Sequence, residues 1–155
     1  FDTLGWSNAD WSKKLGVASM EILYHILETE LQSKNSFILE ANFRPEPDGL
    51  RMQQLSNTYG ASFIEIFCHA RPTILAERFN ARIAQKERHP GHHAIPMDTG
   101  ALNVYLKQYT PLRIGNLILL DTSNFSTVNM DSIISQIQQL DTPPFVKTHT
   151  PHPTI

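Results

Sequence analysis

The sequence predicts an α/β protein, a parallel sheet layered with helices, and three observations carry that prediction. Segments with apolar residues at helical spacing alternate along the chain with short apolar runs of β character. Two of those runs, Phe37-Ile38-Leu39 and Leu117-Ile118-Leu119-Leu120, contain no polar residue. That is the mark of strands covered on both faces, as in a parallel sheet between helices. Both runs then turn polar, into Glu40, Asn42 and Arg44 and into Asp121 and Thr122. Open α/β sheets bind ligands beyond the carboxyl ends of their strands, so these two ends are site candidates.

The totals set bounds on function. A chain of 155 residues with 41% hydrophobic and 18% charged residues fits one soluble globular domain. A net charge of −2 supplies no global field for nucleic acid or an anionic membrane, so any anion site must come from a local group of arginines. Cys68 is the single cysteine. It excludes an internal disulfide and fits a reducing, cytoplasmic setting. No apolar run approaches the roughly 20 residues needed to span a bilayer, and the first residues carry no basic region of a signal peptide. The chain does not begin with Met, which leaves its true start open.

Ser7-Asn8-Ala9-Asp10 has the form of a capping box, opening a helix that runs to about Gln32. Trp11, Leu15, Ala18, Ile22 and Ile26 form its inner stripe, widened by Leu23, Leu27 and Leu31. Trp6 and Trp11 read as packing residues. Ser36–Arg44 is the first strand, and Pro45–Gly49 interrupts regular structure. A second helix follows over Leu50–Tyr59, with Leu50, Leu55 and Tyr59 inward and Gly60 at the C′ position. Ser62–His69 is a strand with Phe63, Glu65 and Phe67 on one face and Ile64, Ile66 and Cys68 on the other. Cys68 reads as a small core hydrophobe, because His69 points to the opposite face and cannot activate its thiol.

Pro72 suits the first position of a third helix, with Ile74, Leu75, Phe79 and Ile83 inward. Pro90-Gly91 stops any helix before His92. Met97–Lys107 reads as helical, Asn116–Asp121 as a strand, and Asn129 as the cap of a last helix bearing Ile133, Ile134 and Ile137. The domain therefore spans residues 1–140, and the proline-rich stretch 141–155 reads as an irregular tail.

Chemistry concentrates around three arginines. Arg78 and Arg82 are four apart and share one side of a helix, and Arg88 lies on the loop just beyond. Guanidinium groups offer planar, paired donors that suit phosphate. The competing reading is a solvated helix face paired with Glu77 and Glu87. His89, His92 and His93 invite a metal reading, but no cysteine stands near and Pro-Gly suggests a turn, so no metal site is expected. The chain has no Gly-x-Ser-x-Gly elbow and no Gly-x-x-x-x-Gly-Lys-Ser/Thr loop.

Phe1–Trp6, Ile38–Arg44, Glu77-Arg78-Phe79 with Arg82, Arg88-His-Pro-Gly-His92 and Leu120-Asp-Thr122 together resemble the predicted ATP-binding, P-loop kinase-like proteins. That group is related to zeta-toxin, chloramphenicol phosphotransferase and gluconate kinase. The resemblance covers about residues 1–140, with a lid over about 84–100. It implies a five-stranded parallel sheet of which this chain, truncated at its N-terminus, lacks the first two strands and the phosphate-binding loop.

The resemblance further implies an ATP-dependent phosphotransferase acting on the hydroxyl of a small molecule, inactive as this fragment. The alternative is a non-catalytic nucleotide-binding or interaction module of the same fold. By resemblance Arg78 packs on the adenine, Arg82 reaches the phosphates, and Arg88 stabilises charge on the transferring group, which makes Arg82 and Arg88 the catalytic pair. Asp121 and Thr122 would line the base pocket, and Glu40, Asn42 and Arg44 would hold the acceptor. ATP and Mg2+ are the implied cofactors, with Mg2+ held through residues absent from this chain. The implied partners are a nucleotide and a small-molecule substrate, with no nucleic acid and no membrane.

Overall fold

The structure is a computed structural model and describes residues 1–141. The expected tail falls almost wholly outside the described residues. The element order is α1 (Ala9–Gln32), α2 (Leu50–Tyr59), β1 (Ile64–His69), α3 (Pro72–Ala84), α4 (Thr99–Leu106), β2 (Asn116–Asp121) and α5 (Met130–Asp141). Strands β1 and β2 pair in parallel, with Ile64 opposite Asn116 and His69 opposite Asp121. Among the described residues these two make the whole sheet. An α/β chain with a small parallel sheet is therefore what folds.

Helix α1 starts one residue later than the capping box suggests. Asn8, not Ser7, is the cap, and its side-chain oxygen accepts from the Trp11 N–H at 2.9 Å. The buried face keeps Leu27 and Leu31 of the expected stripe but is centred on Tyr24 rather than on Ile22 and Ile26. Tyr24 and Leu27 are buried, with Met20 and Leu31 beside them, while Ile22 is 61% and Ile26 52% exposed. Residues two apart on a helix lie on nearly opposite sides, so the stripe through Tyr24 turns Ile22 and Ile26 outward. Apolar residues reach more than one side of the helix, so periodicity alone does not rank its faces.

The core gathers Tyr24, Leu27 and Met52, with Leu39, Phe43, Leu55, Phe63, Leu112 and Ile114 packed against them. Met52 is the buried residue of α2, whereas Leu50, expected inside, is 65% exposed. Gly60 ends α2 at φ 65°, the left-handed backbone that glycine adopts without a Cβ penalty. The approach to β2 is held by Glu65, whose two carboxylate oxygens accept from the Leu112 and Arg113 N–H groups at 2.8 and 2.9 Å.

Ser36–Arg44 is a correction. The run is extended but joins no ladder among the described residues. Only one side is covered: Leu39 and Phe43 pack on the core, while Ile38 is 98% exposed. An apolar run selects extended backbone, but a strand exists only where another strand lies alongside to take its N–H and C=O groups. Cys68 is a second correction, since it is exposed rather than part of the core. Its side of β1 includes Ile66, 40% exposed, and β2 likewise exposes Leu119 at 60%. The opposite outcome holds at Ile118, which is buried.

Candidate functional site

Strands β1 and β2 end together, and the loop after β2 is tied across both ends. The Thr122 N–H and hydroxyl both donate to the His69 carbonyl, at 2.7 and 2.9 Å. Ser123 N–H donates to Asp121 Oδ1 at 2.8 Å, and Ser123 Oγ accepts from the Arg71 N–H at 2.9 Å. These bonds from Ser123 hold the Asp121 carboxyl below its ordinary range, with His69 and Arg71 adding to the effect. Asp121 is therefore ionised at neutral pH and anchored to its own loop.

Pro72 opens α3 where a missing N–H costs nothing. The helix carries Arg78 to this loop. Arg78 Nη2 donates to the Ser123 carbonyl at 3.1 Å, and its guanidinium lies 4.2 Å from the centroid of the Phe125 ring. Three of the expected nucleotide residues, Arg78, Asp121 and Thr122, thus converge on one loop.

Arg82 and Arg88 serve the other end of α3. Arg82 Nε stands 3.8 Å from Glu87 Oε2, with more than half of its side chain exposed. Such a pair contributes little to stability. Arg88 lies over the Phe79 ring at 5.2 Å, and its Nε is buried without a hydrogen-bond partner. His92 senses both: burial first, then the charges of Arg88, His89 and Arg82, lower its pKa below 6.5.

The turn that follows, Pro90–His92, is clasped by the N-terminal residues. The Phe1 ring stacks on His89 at 5.0 Å, and Trp6 meets His89 edge-on. His89 Nε2 lies 2.9 Å from Asp2 Oδ1, and its Nδ1 accepts from the Gly91 N–H at 3.0 Å. A ring whose Nδ1 accepts carries its proton on Nε2, so His89 donates to Asp2. Beside this turn lies a cavity of about 390 Å³ lined by Ile83, Lys86, Arg88, His89, Pro90 and His93, with Ala94. Among the described residues no three His, Cys, Asp or Glu side chains come together as a metal-holding group. No helix among them is long and apolar enough to cross a membrane.

Glu40, Asn42 and Arg44 share the exposed side of the extended run. The backbone of Arg44 is held by a residue that the sequence reading passed over. Asp48 is 6% exposed; one of its oxygens accepts from the Tyr24 hydroxyl and the other from the Arg44 N–H, both at 2.7 Å. Burial and the Asp48 carboxylate hold the Tyr24 phenol far above its ordinary value. Tyr109 is pushed up to about 12 by burial and by its hydrogen bond with Tyr105, while Arg44 acts in the opposite sense. The signal for Asp48 was a carboxylate in a Pro-Asp-Gly turn, a pattern that turns share with solvent-facing acids.

Neither a protein-family model nor a curated protein matches the chain. A solved structure does. It is described as a putative kinase from Chloroflexus aurantiacus J-10-fl, and it is 37% identical over 90% of this chain and 77% of that one, with a TM-score of 0.76. At that identity and coverage the likeness extends from the fold to the sequence that builds it. The chain belongs to the same family as that Chloroflexus protein, and its fold is kinase-like.

Proposed function

We propose that the protein is an ATP-dependent phosphotransferase of the P-loop kinase type, moving the γ-phosphoryl group to a hydroxyl of a small molecule. The observation that carries this reading is the meeting of Arg78 with the loop after β2, at the carboxyl ends of two parallel strands. That is where α/β sheets hold nucleotides. The kinase-like relative supports it.

In this reading Arg78, Asp121 and Thr122 receive the nucleotide. Arg82 and Arg88 neutralise charge on the phosphates, Arg88 standing on the loop just beyond α3 with its guanidinium over Phe79. Glu40, Asn42 and Arg44 hold the acceptor. The bond between the β–γ bridging oxygen and the γ-phosphorus breaks, the acceptor oxygen bonds to phosphorus, and the acceptor proton is released as ADP departs. Mg2+ would supply charge neutralisation at the phosphates.

The test is ADP release by the full gene product in Mg-ATP with a panel of sugars, nucleosides and antibiotics bearing hydroxyls. Turnover that falls about 100-fold or more in Arg82→Ala and Arg88→Ala is the expected result. The 155-residue chain alone is expected to turn over little or nothing. Tight ATP binding with no turnover on any acceptor would refute the enzyme and leave a nucleotide-binding module.

A further inference from the structure

Arg88 stands between two fixed points of the backbone. On the α3 side the Glu87 N–H donates to the Arg82 carbonyl at 3.0 Å. On the other side both ring nitrogens of His89 are engaged: Nε2 with Asp2 Oδ1 at 2.9 Å, and Nδ1 with the Gly91 N–H at 3.0 Å. The His89 carbonyl accepts from the His92 N–H at 3.0 Å. The imidazole lies parallel to the Phe1 ring, at an interplanar angle of 3°, with Trp6 edge-on to it. Gly91 is buried, so its N–H needs a protein partner, and His89 Nδ1 is that partner. The segment that closes over His89 is itself tied down. The Gly5 N–H donates to the Phe1 carbonyl at 2.7 Å, and the Trp11 indole N–H donates to the Gly5 carbonyl at 3.0 Å, which joins the segment to the first turn of α1.

A fixed turn answers a need of the arginine before it. A long side chain gives up rotamer freedom when it is ordered, so a stationary Cα is the cheapest way to aim a guanidinium. The Arg88 guanidinium lies over the Phe79 ring at 5.2 Å, a contact that leaves its aim dependent on the turn. Charge stabilisation of a transferring phosphoryl group demands placement, and a misplacement of about 1 Å can cost roughly 100-fold in rate. The tautomer matters as well. Only an imidazole with its proton on Nε2 serves Asp2 and Gly91 together, and the Asp2 carboxylate favours that form.

We propose that His89 is a positioning residue for Arg88, with Asp2 setting its tautomer. The pair fixes the turn from which Arg88 reaches the transferring phosphoryl group. This role rests on the phosphotransferase reading of the protein, and it adds two residues that act through the backbone rather than on the substrate.

The experiment measures steady-state turnover of Mg-ATP by the full gene product with the acceptor that its panel identifies. The variants are Asp2→Ala, His89→Leu, His89→Asn and Arg88→Ala, with Asp2→Ala and His89→Leu each also combined with Arg88→Ala. His89→Leu is expected to lower kcat about 10- to 100-fold, with KM for ATP changed less than about 3-fold. His89→Asn should recover most of that loss, because an asparagine oxygen can accept from the backbone N–H two residues on. Asp2→Ala should lower kcat about 3- to 10-fold, since Asp2 acts only by favouring one tautomer. In the Arg88→Ala background both His89→Leu and Asp2→Ala should lower kcat less than about 2-fold further, because the group they position is gone. Losses that multiply in full on Arg88→Ala overturn the proposal, since His89 would then serve the fold and not Arg88. Unaltered kcat in His89→Leu overturns it too. The Asp2 side chain is 90% exposed, so the Asp2→Ala arm stands even where His89→Leu fails to fold, and an Asp2→Ala enzyme with unaltered kcat removes Asp2 from the pair. If the unaltered protein turns over no acceptor, the phosphotransferase reading falls and the role of His89 falls with it.

Discussion

Replacing Asp48 by alanine tests whether one buried carboxylate holds the candidate acceptor segment to the core. Asp48 accepts from the Tyr24 hydroxyl and from the Arg44 N–H, each at 2.7 Å, inside a site where Asp48 is 6% and Tyr24 3% exposed. Alanine leaves both donors without a partner. Each buried group left unsatisfied costs roughly 1–3 kcal/mol, so the variant should lose about 2–6 kcal/mol. That is a large part of the stability of a domain this size. Asp48→Asn retains an acceptor for one donor but turns an amide N–H towards the other, and should fall between the two.

Urea unfolding followed by circular dichroism gives the stability difference, provided the slope with denaturant is unchanged. Tyr24→Phe and the double variant close a cycle, with an expected coupling of about 0.5–3 kcal/mol. A loss below about 1 kcal/mol in Asp48→Ala would refute the reasoning, since it would mean that water reaches both donors. The functional readout follows from the Arg44 bond. Asp48→Asn should raise KM for the acceptor more than KM for ATP, because it loosens the segment that ends at Arg44 and bears Glu40 and Asn42.

Two further predictions concern pH and packing. Tyr24 and Tyr109 both have phenols raised above the ordinary value of 10.0, so above that pH the unfolded chain releases protons that the folded one retains. Stability should therefore decline as pH rises through 10.0, measured as urea midpoints across alkaline buffers, and Tyr24→Phe should flatten that decline. Glycines 91 and 115 should resist alanine for different reasons. A Cβ on Gly91 would stand 2.7 Å from the Phe1 ring and 2.8 Å from Trp6 Cβ, so Gly91→Ala should loosen the N-terminal clasp and shift Trp6 fluorescence to the red. A Cβ on Gly115 would run into the Phe63 carbonyl, the same group that accepts from the Asn116 N–H. Gly115→Ala should cost about 1–3 kcal/mol by thermal or urea unfolding and disturb the entry to β2.

Local chemistry was legible along most of the chain. The α2 span, the glycine after it, Pro72 at the head of α3, β2 and the Asn129 cap of α5 all occur as their residues dictate. Each rests on interactions within a few residues, which a sequence displays directly. The candidate site was legible in part. Four-residue spacing put Arg78 and Arg82 on one side of α3 and Glu87 within reach of a partner, as the Arg82–Glu87 pair shows, but it could not say that Arg78 would bind Ser123, 45 residues on. Asp48 and Phe125 escaped notice because an acid in a turn and an aromatic in a loop carry no period.

Apolar order along the chain determined which segments coil and which extend, because backbone preference and side-chain spacing act over one or two turns. Tertiary structure alone decided which sides of those segments meet. It chose the Tyr24 face of α1 over the Ile22 face, left Ile38 in water, and set Arg78 against Phe125. Those outcomes depend on which surfaces lie within about 4 Å across the fold, and no local preference encodes that distance.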